Sequence, residues 1–249
     1  MRTNFASQSP LHVALIPEGC GCWPAAPGEA GPGAGADAVR RVVAAARALG
    51  VDVLTLQGLA CDEPRTPEAA RSVLAGIGAF LDLESPAFLR AGVRVTVFGE
   101  RERIPADVRR VIEVAERATA GEIGLHLRIA IDCSARGAIL ATLLGGIAGH
   151  DLLAREHAGR LGPDVDLLIR TGGERRLSDF LLWECAHAEL RFVDTPWPEF
   201  GERELAAAVA ELQHRAREPG VRGSVASSDG GAPANGPGAA TPPAFAVLP

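Results

Sequence analysis

The chain has 249 residues, of which 47% are hydrophobic, a formal net charge of -6 and an isoelectric point near 5.6. That length suits one large α/β domain with a well-buried core and leaves little room for a second. The acidic balance excludes a nucleic-acid-binding face: counterion release needs clustered cations, and here the arginines, in a sequence without lysine, are interspersed with acids.

Residues 1–10 are polar and predict a flexible tail. The first ordered segment is the apolar run His12 to Ile16, which breaks at Pro17 into Glu18-Gly19-Cys20-Gly21-Cys22-Trp23. Asp37 and Gly50 bracket a helical pattern, "AVRRVVAAARAL". A strand is expected over Val51 to Leu56, and Thr66-Pro67-Glu68 supplies a cap, a first-turn proline and a first-turn acid for the next helix. Further strands are expected at Val93 to Gly99, Leu125 to Asp132, Asp166 to Thr171 and Glu189 to Phe192. Helices are expected at Pro105 to Ala118, Ala135 to Leu161, Ser178 to His187 and Glu202 to Arg217. From about Val221 the chain turns into a Gly/Ala/Pro/Ser segment that cannot bury enough apolar area to offset its ordering entropy, so residues 221–249 read as a disordered tail.

Several of the strand segments are nearly continuous apolar runs, as strands buried on both faces are. Their alternation with helices predicts a single α/β domain over residues 11–220, built on a central, mostly parallel six-stranded sheet flanked by helices. Ligands in such folds bind beyond the carboxyl ends of the strands, which directs attention to the loops after Ile16 and Thr171.

Five cysteines, odd in number and scattered, with no signal peptide ahead of them, predict a cytoplasmic protein without a disulfide framework. Apolar runs such as Ile139 to Ile147 fall well short of the roughly 20 residues that cross a bilayer, so no transmembrane segment is expected.

The stretch "DLLIRTGGERRLSDFLLWECAHAELRF", Asp166 to Phe192, carries the clearest chemistry. A buried strand delivers Arg170, two glycines free the turn, and Arg175, Arg176 and Ser178 follow. Guanidiniums beside exposed backbone N–H groups suit an anionic oxygen cluster such as a phosphate, each charge-assisted bond contributing roughly 1.5–3 kcal/mol when shielded from water. The plainer alternative is that Arg170 and Arg176 pair with Glu174 and Glu189 as structural ion pairs and that Ser178 only caps a helix. Composition leaves both open. Cys20-Gly-Cys22, without a second Cys/His pair nearby, is a weak metal or redox signal.

The block "PDVDLLIRTGGERRLSDFLLWECAHAELRFVDTPWPEF" resembles, without a gap, the signature of the cis-prenyltransferases, the undecaprenyl diphosphate synthase family. "GVRVTVFGERERIP", "GLHLRIAIDCSARGAI" and "RRVVAAARALGVDVLTL" resemble further segments, so the likeness spans residues 11–220. It implies the family's parallel sheet, a hydrophobic tunnel for the growing chain, and usually a homodimer. It also implies magnesium and two substrates, isopentenyl diphosphate and an allylic prenyl diphosphate. By position, Arg170, Arg176 and Ser178 would grip the isopentenyl diphosphate, and Glu189 would help place the magnesium-diphosphate complex.

The first loop departs from the family. "HVALIPEGCGCWPA" is similar to H-V-A-x-I-M-D-G-N-G-R-W-A, with Glu18 where the catalytic, magnesium-binding aspartate stands, Cys20 for Asn and Cys22 for Arg. Gly19, Gly21 and Trp23, the rest of that diphosphate-binding loop, are kept. Glutamate keeps the charge but displaces its oxygens by more than about an ångström, and a neutral cysteine cannot replace a bidentate arginine clamp. Downstream, "LACDEPRTP" stands where the family has F-S-x-E-N-W-x-R-P, and a histidine is replaced within Gly31-Pro32-Gly33-Ala34-Gly35. The changes fall on the allylic side, and the isopentenyl-side residues are kept. Three readings follow: an atypical prenyltransferase, a same-fold enzyme with altered prenyl chemistry, or a silent subunit paired with an intact homologue.

Overall fold

The computed structural model describes residues 10–18, 33–61, 66–144 and 162–215. Both expected tails lie outside this set except for Pro10, as do Gly19, Cys20, Gly21, Cys22 and Trp23. The described elements run β1 (His12–Ile16), α1 (Ala34–Leu49), β2 (Val53–Ala60), α2 (Pro67–Arg90), β3 (Arg94–Gly99), α3 (Ala106–Thr119), β4 (His126–Cys133), α4 (Ala135–Leu144), β5 (Leu167–Arg170), β6 (Glu189–Phe192) and α5 (Glu202–Arg215). Short 3-10 turns sit at Arg101–Arg103 and Trp197–Glu199.

All five strand pairings are parallel, in the order β3-β4-β2-β1-β5-β6. The alternation expected from sequence is borne out, and the sheet is wholly parallel. One face buries Val13, Leu15, Leu54, Leu56, Leu127 and Ile129 against α1, α2, α3 and α5. The other carries Ala14, Ile16, Ala130 and Leu168 under Phe180, Leu181 and the Ala138 side of α4.

Local chemistry accounts for the helix ends. Gly50 closes α1 in the left-handed region, at φ 74°, where only glycine avoids a steric cost. The Thr66 side chain caps α2 by accepting from the Ala69 amide, with Pro67 at the first helical position. Helix α1 starts earlier than expected, so Asp37 lies in its first turn and pairs with Arg40 instead of capping. By length and composition α2 could cross a bilayer, which its interrupted apolar runs had hidden. In this fold it buries Leu74, Ile77, Phe80, Leu81 and Phe88 in the core, and carries Asp82, Glu84 and Pro86 within its length.

The helix expected at Ser178 to His187 is absent; that segment forms turns. Leu181 takes a positive φ of 50°, which no α-helix accommodates, and single bonds such as Cys185 N–H to Leu181 O and Ala188 N–H to Cys185 O take the place of a regular ladder. The chain needs this descent to return from the carboxyl end of β5 to the start of the parallel strand β6.

Candidate active site

The strand order makes β1 the switch point of the sheet. After β1 the chain moves outward through β2 to one edge, and β5 then returns on the other side of β1. The connections leaving β1 and β5 therefore diverge, and a crevice opens above their carboxyl ends. Glu18 lies two residues beyond β1, and Arg170 is the last residue of β5.

Arg170 is 2% exposed, yet it is ionic. Its Nη2 donates to Glu18 Oε1 at 2.6 Å and its Nη1 to the Arg176 carbonyl at 2.6 Å. Nε is buried and has no hydrogen-bond partner among the described residues. A buried guanidinium is tolerated only when its charge is balanced, and the half-buried Glu18 carboxylate supplies that balance.

The Glu18 main chain is held as firmly as its side chain. Thr171, fully buried, accepts from the Glu18 amide at 2.7 Å and donates to the Glu18 carbonyl at 3.0 Å. The same carbonyl accepts from the Trp197 amide at 2.9 Å. Gly172 and Gly173 follow at φ 77° and 81°, two successive left-handed residues that only glycines adopt readily. A Cβ on Gly172 would come within 2.8 Å of the Glu18 carbonyl carbon, so the bare Cα is what lets the two loops touch.

The Arg-rich turn borders this crevice. Arg176 Nε lies 3.2 Å from Glu174 Oε2, and Arg175 lies 3.7 Å from Asp194, all four side chains at the surface. The Ser178 hydroxyl accepts from Gln57 Nε2 at 3.1 Å, which ties it to β2 instead of capping a helix. Next to it, Asp179 takes the Ser134 hydroxyl at 2.6 Å and the Arg136 amide at 2.9 Å, stitching the turn to the start of α4. Burial opposes ionisation of Asp179, but these donors and the Arg136 charge outweigh it and hold the carboxyl below its ordinary range.

Glu18, Arg170, Arg176 and Ser178 therefore gather at one end of the sheet. Glu189 does not join them within one chain. It opens β6 opposite Leu167, three residue steps and about 10 Å along the sheet from the register position of Arg170. Its carboxylate lies 3.5 Å from Arg215. The ion-pair reading of the Arg-rich block is met in part: Arg176 does pair with Glu174, whereas Arg170 takes Glu18. Thr171, Gln57, Asp179 and Trp197 went unnoticed in the sequence. Thr171, adjoining Arg170 at the end of an apolar strand, was the visible signal, since a hydroxyl there outlasts the ladder.

Among the described residues no group of three or more His, Cys, Asp or Glu side chains could hold a metal ion alone. Magnesium is ordinarily held by one or two carboxylates together with substrate phosphate oxygens, and the single Glu18 carboxylate beside a cationic turn fits that role.

The family model described as "Putative undecaprenyl diphosphate synthase" matches residues 16–220. The chain is 42% identical over 231 residues to isoprenyl transferase 1 of Bradyrhizobium diazoefficiens, covering 88% of this chain and 94% of that one. It is 36% identical over 240 residues to the isoprenyl transferase of Caulobacter vibrioides, covering 90% and 92%. A crystal structure of a probable undecaprenyl diphosphate synthase from Campylobacter jejuni shares the fold at a TM-score of 0.70, with 23% identity over 85% of this chain and 99% of that one. Lavandulyl diphosphate synthase from Lavandula x intermedia, solved with dimethylallyl diphosphate, also superposes at 0.70, with 25% identity over 83% and 96%. The match, which spans strands, crevice and Arg-rich turn, leaves one assignment: this chain belongs to the undecaprenyl diphosphate synthase family of prenyltransferases.

Proposed function

We propose that this protein condenses isopentenyl diphosphate with an allylic prenyl diphosphate in a magnesium-dependent reaction, acting in the cytoplasm as a homodimer. The observation that carries the reading is the meeting of the Glu18 carboxylate with Arg170, at 2.6 Å, in the crevice bordered by Arg176 and Ser178. Names of relatives such as isoprenyl transferase support it.

In this reaction the allylic C–O bond breaks and its diphosphate leaves with the electron pair. The isopentenyl double bond attacks the cationic carbon, and a proton is then lost from the isopentenyl unit. When bound, magnesium would supply charge neutralisation for the departing diphosphate. Arg170, Arg176 and Ser178 bind and orient the isopentenyl diphosphate. Arg170, neutralised by Glu18 in the unliganded chain, is shared between that carboxylate and the incoming anion. Glu18 is the carboxylate available to the metal-diphosphate complex. The diphosphate clamp lost with Cys22 makes the enzyme slow or unusual in its product.

Purified protein with magnesium, isopentenyl diphosphate and a panel of allylic diphosphates should yield longer prenyl diphosphates. Glu18→Ala should lower that rate by at least about 100-fold. A cyclised or otherwise different product would favour the altered-chemistry reading, which the resemblance to a lavandulyl diphosphate synthase motivates. Inactivity relieved only by a co-purifying homologue would favour a silent subunit, and inactivity in every combination would overturn the assignment.

A further inference from the structure

We propose that Thr171 is a positioning residue that sets the location of the Glu18 carboxylate through the Glu18 main chain; the inference rests on the reading of Glu18 given under Proposed function. Thr171 is 0% exposed and its hydroxyl is used twice on one residue, accepting from the Glu18 amide at 2.7 Å and donating to the Glu18 carbonyl at 3.0 Å. Its own amide donates to the Ile16 carbonyl at 3.1 Å, among the described residues the last backbone bond between the two chain segments leaving β1 and β5. In this register the next amide facing β5 is that of Glu18, since residue 17 faces β2, and it goes to the Thr171 hydroxyl instead of a main-chain carbonyl. The threonine hydroxyl takes over where the ladder stops.

The arrangement has a chemical purpose that a simple turn does not need. A hydroxyl can donate and accept at once, so it satisfies both polar groups of a backbone unit that no strand pairs. The Trp197 amide shares the carbonyl at 2.9 Å, and Gly172 leaves room for the contact. Glu18 is thereby fixed at its Cα on three sides before its side chain makes any bond. A glutamate has one more rotatable bond than an aspartate, so a fixed main chain restricts where its oxygens can reach.

The test uses the full-length protein with Thr171→Val, which keeps the shape and removes the hydroxyl, and Thr171→Ser, which restores it. Two readouts are taken: steady-state kinetics, and binding of Mn2+ with inorganic pyrophosphate followed by electron paramagnetic resonance. A misplacement of about 1 Å should lower kcat in Thr171→Val by about 100-fold. KM for isopentenyl diphosphate should stay within about threefold, because Arg176 and Ser178 are untouched. Mn2+-pyrophosphate affinity should fall by about tenfold, the worth of one charge-linked hydrogen bond, and Thr171→Ser should recover most of both losses. Unchanged Mn2+-pyrophosphate binding and kcat in a folded Thr171→Val protein would overturn the proposal and leave the functional reading intact. So would a failure of Thr171→Ser to recover function. If Thr171→Val does not fold, the comparison of Thr171→Ser with wild type decides: recovery of folding without wild-type Mn2+-pyrophosphate affinity makes the role structural only and overturns the proposal. Wild-type protein that neither binds Mn2+-pyrophosphate nor turns over substrate would remove the functional reading, and the proposal with it.

Discussion

Arg170 ends β5 and Glu18 follows the neighbouring strand β1; the two residues are 152 apart in sequence, and they meet side chain to side chain at 2.6 Å. The pair is asymmetric: the cation is buried and the carboxylate is partly open to solvent. Any anion entering the crevice must therefore compete with Glu18 for a guanidinium that cannot move away.

Arg170→Lys should expose that competition. A lysine ammonium is a point charge on a flexible stem and cannot serve both Glu18 and the Arg176 carbonyl in a fork. KM for isopentenyl diphosphate is expected to rise by about tenfold, corresponding to one charge-assisted bond. An unchanged KM in steady-state assays would show that Arg170 only balances Glu18.

Gly172→Ala tests the approach of the two loops. The added methyl would meet the Glu18 carbonyl carbon at 2.8 Å while the residue is held at φ 77°. The strain should cost about 1–3 kcal/mol in chemical denaturation, with activity falling further than stability because Glu18 is the residue displaced. Equal losses at Gly172 and at the exposed Gly121, where a Cβ meets nothing within 4 Å, would argue against a local effect.

Acid stability should be governed by the polar groups at the amino ends of the strands. His12 is buried, its Nδ1 donating to the Pro163 and Asp164 carbonyls and its Nε2 accepting from the Thr55 hydroxyl. Burial, then the Arg128 charge, pushes its pKa down to about 4, and His126 is pushed down to about 4 for the same reasons. Unfolded histidines bind protons near pH 6.5, so stability falls as pH drops from 6.5 to about 4, by on the order of 3 kcal/mol for His12. Glu184 acts with opposite sign. Burial pushes it up to about 7, so ionisation of the unfolded chain from pH 4.5 upward removes stability until pH 7. Two histidines outweigh one glutamate, and urea denaturation should show net loss of stability toward acid. Glu184→Gln should steepen that loss.

The thiols in the core should be inert. Burial, with Glu184 nearby, pushes Cys133 and Cys185 up to about 12. Native protein treated with iodoacetamide at pH 8 should show neither residue alkylated by mass spectrometry, and unfolding should expose both.

Much of the scaffold was legible because its signals are local. His12–Ile16 and Glu189–Phe192 emerge with the expected bounds: the first is an apolar run stopped by Pro17, and the second alternates charged Glu189 and Arg191 with apolar Leu190 and Phe192. Arg170, Arg176 and Ser178 were legible as a block because they share one turn. The segment after Ser178 was not: its apolar spacing suits a helix, and nothing local announces the positive φ at Leu181 that the return to β6 requires. Glu189 stands apart from that block within one chain. Sequence nearness to the Arg-rich turn says nothing about a parallel strand that begins at the far end of the sheet. That Glu18 is the partner of Thr171 and Trp197 was not legible, because these contacts join distant segments: Trp197 reaches it with a main-chain amide that any residue would offer, and the Thr171 hydroxyl meets the Glu18 main chain and not its distinctive side chain.

Trp197 touches both margins of the segment whose polar residues have been rewritten. Its amide holds the Glu18 carbonyl, and its indole Nε1 donates to the Gly35 carbonyl at 3.2 Å, at the start of α1. The ring is fully buried and stacked on Phe200, so this brace belongs to the core and not to the loop. The entry and exit of residues 19–32 are thus anchored by a residue outside them. Neither of these bonds uses a side chain from residues 19–32, so substitutions within that interval leave the brace between Glu18 and the start of α1 in place.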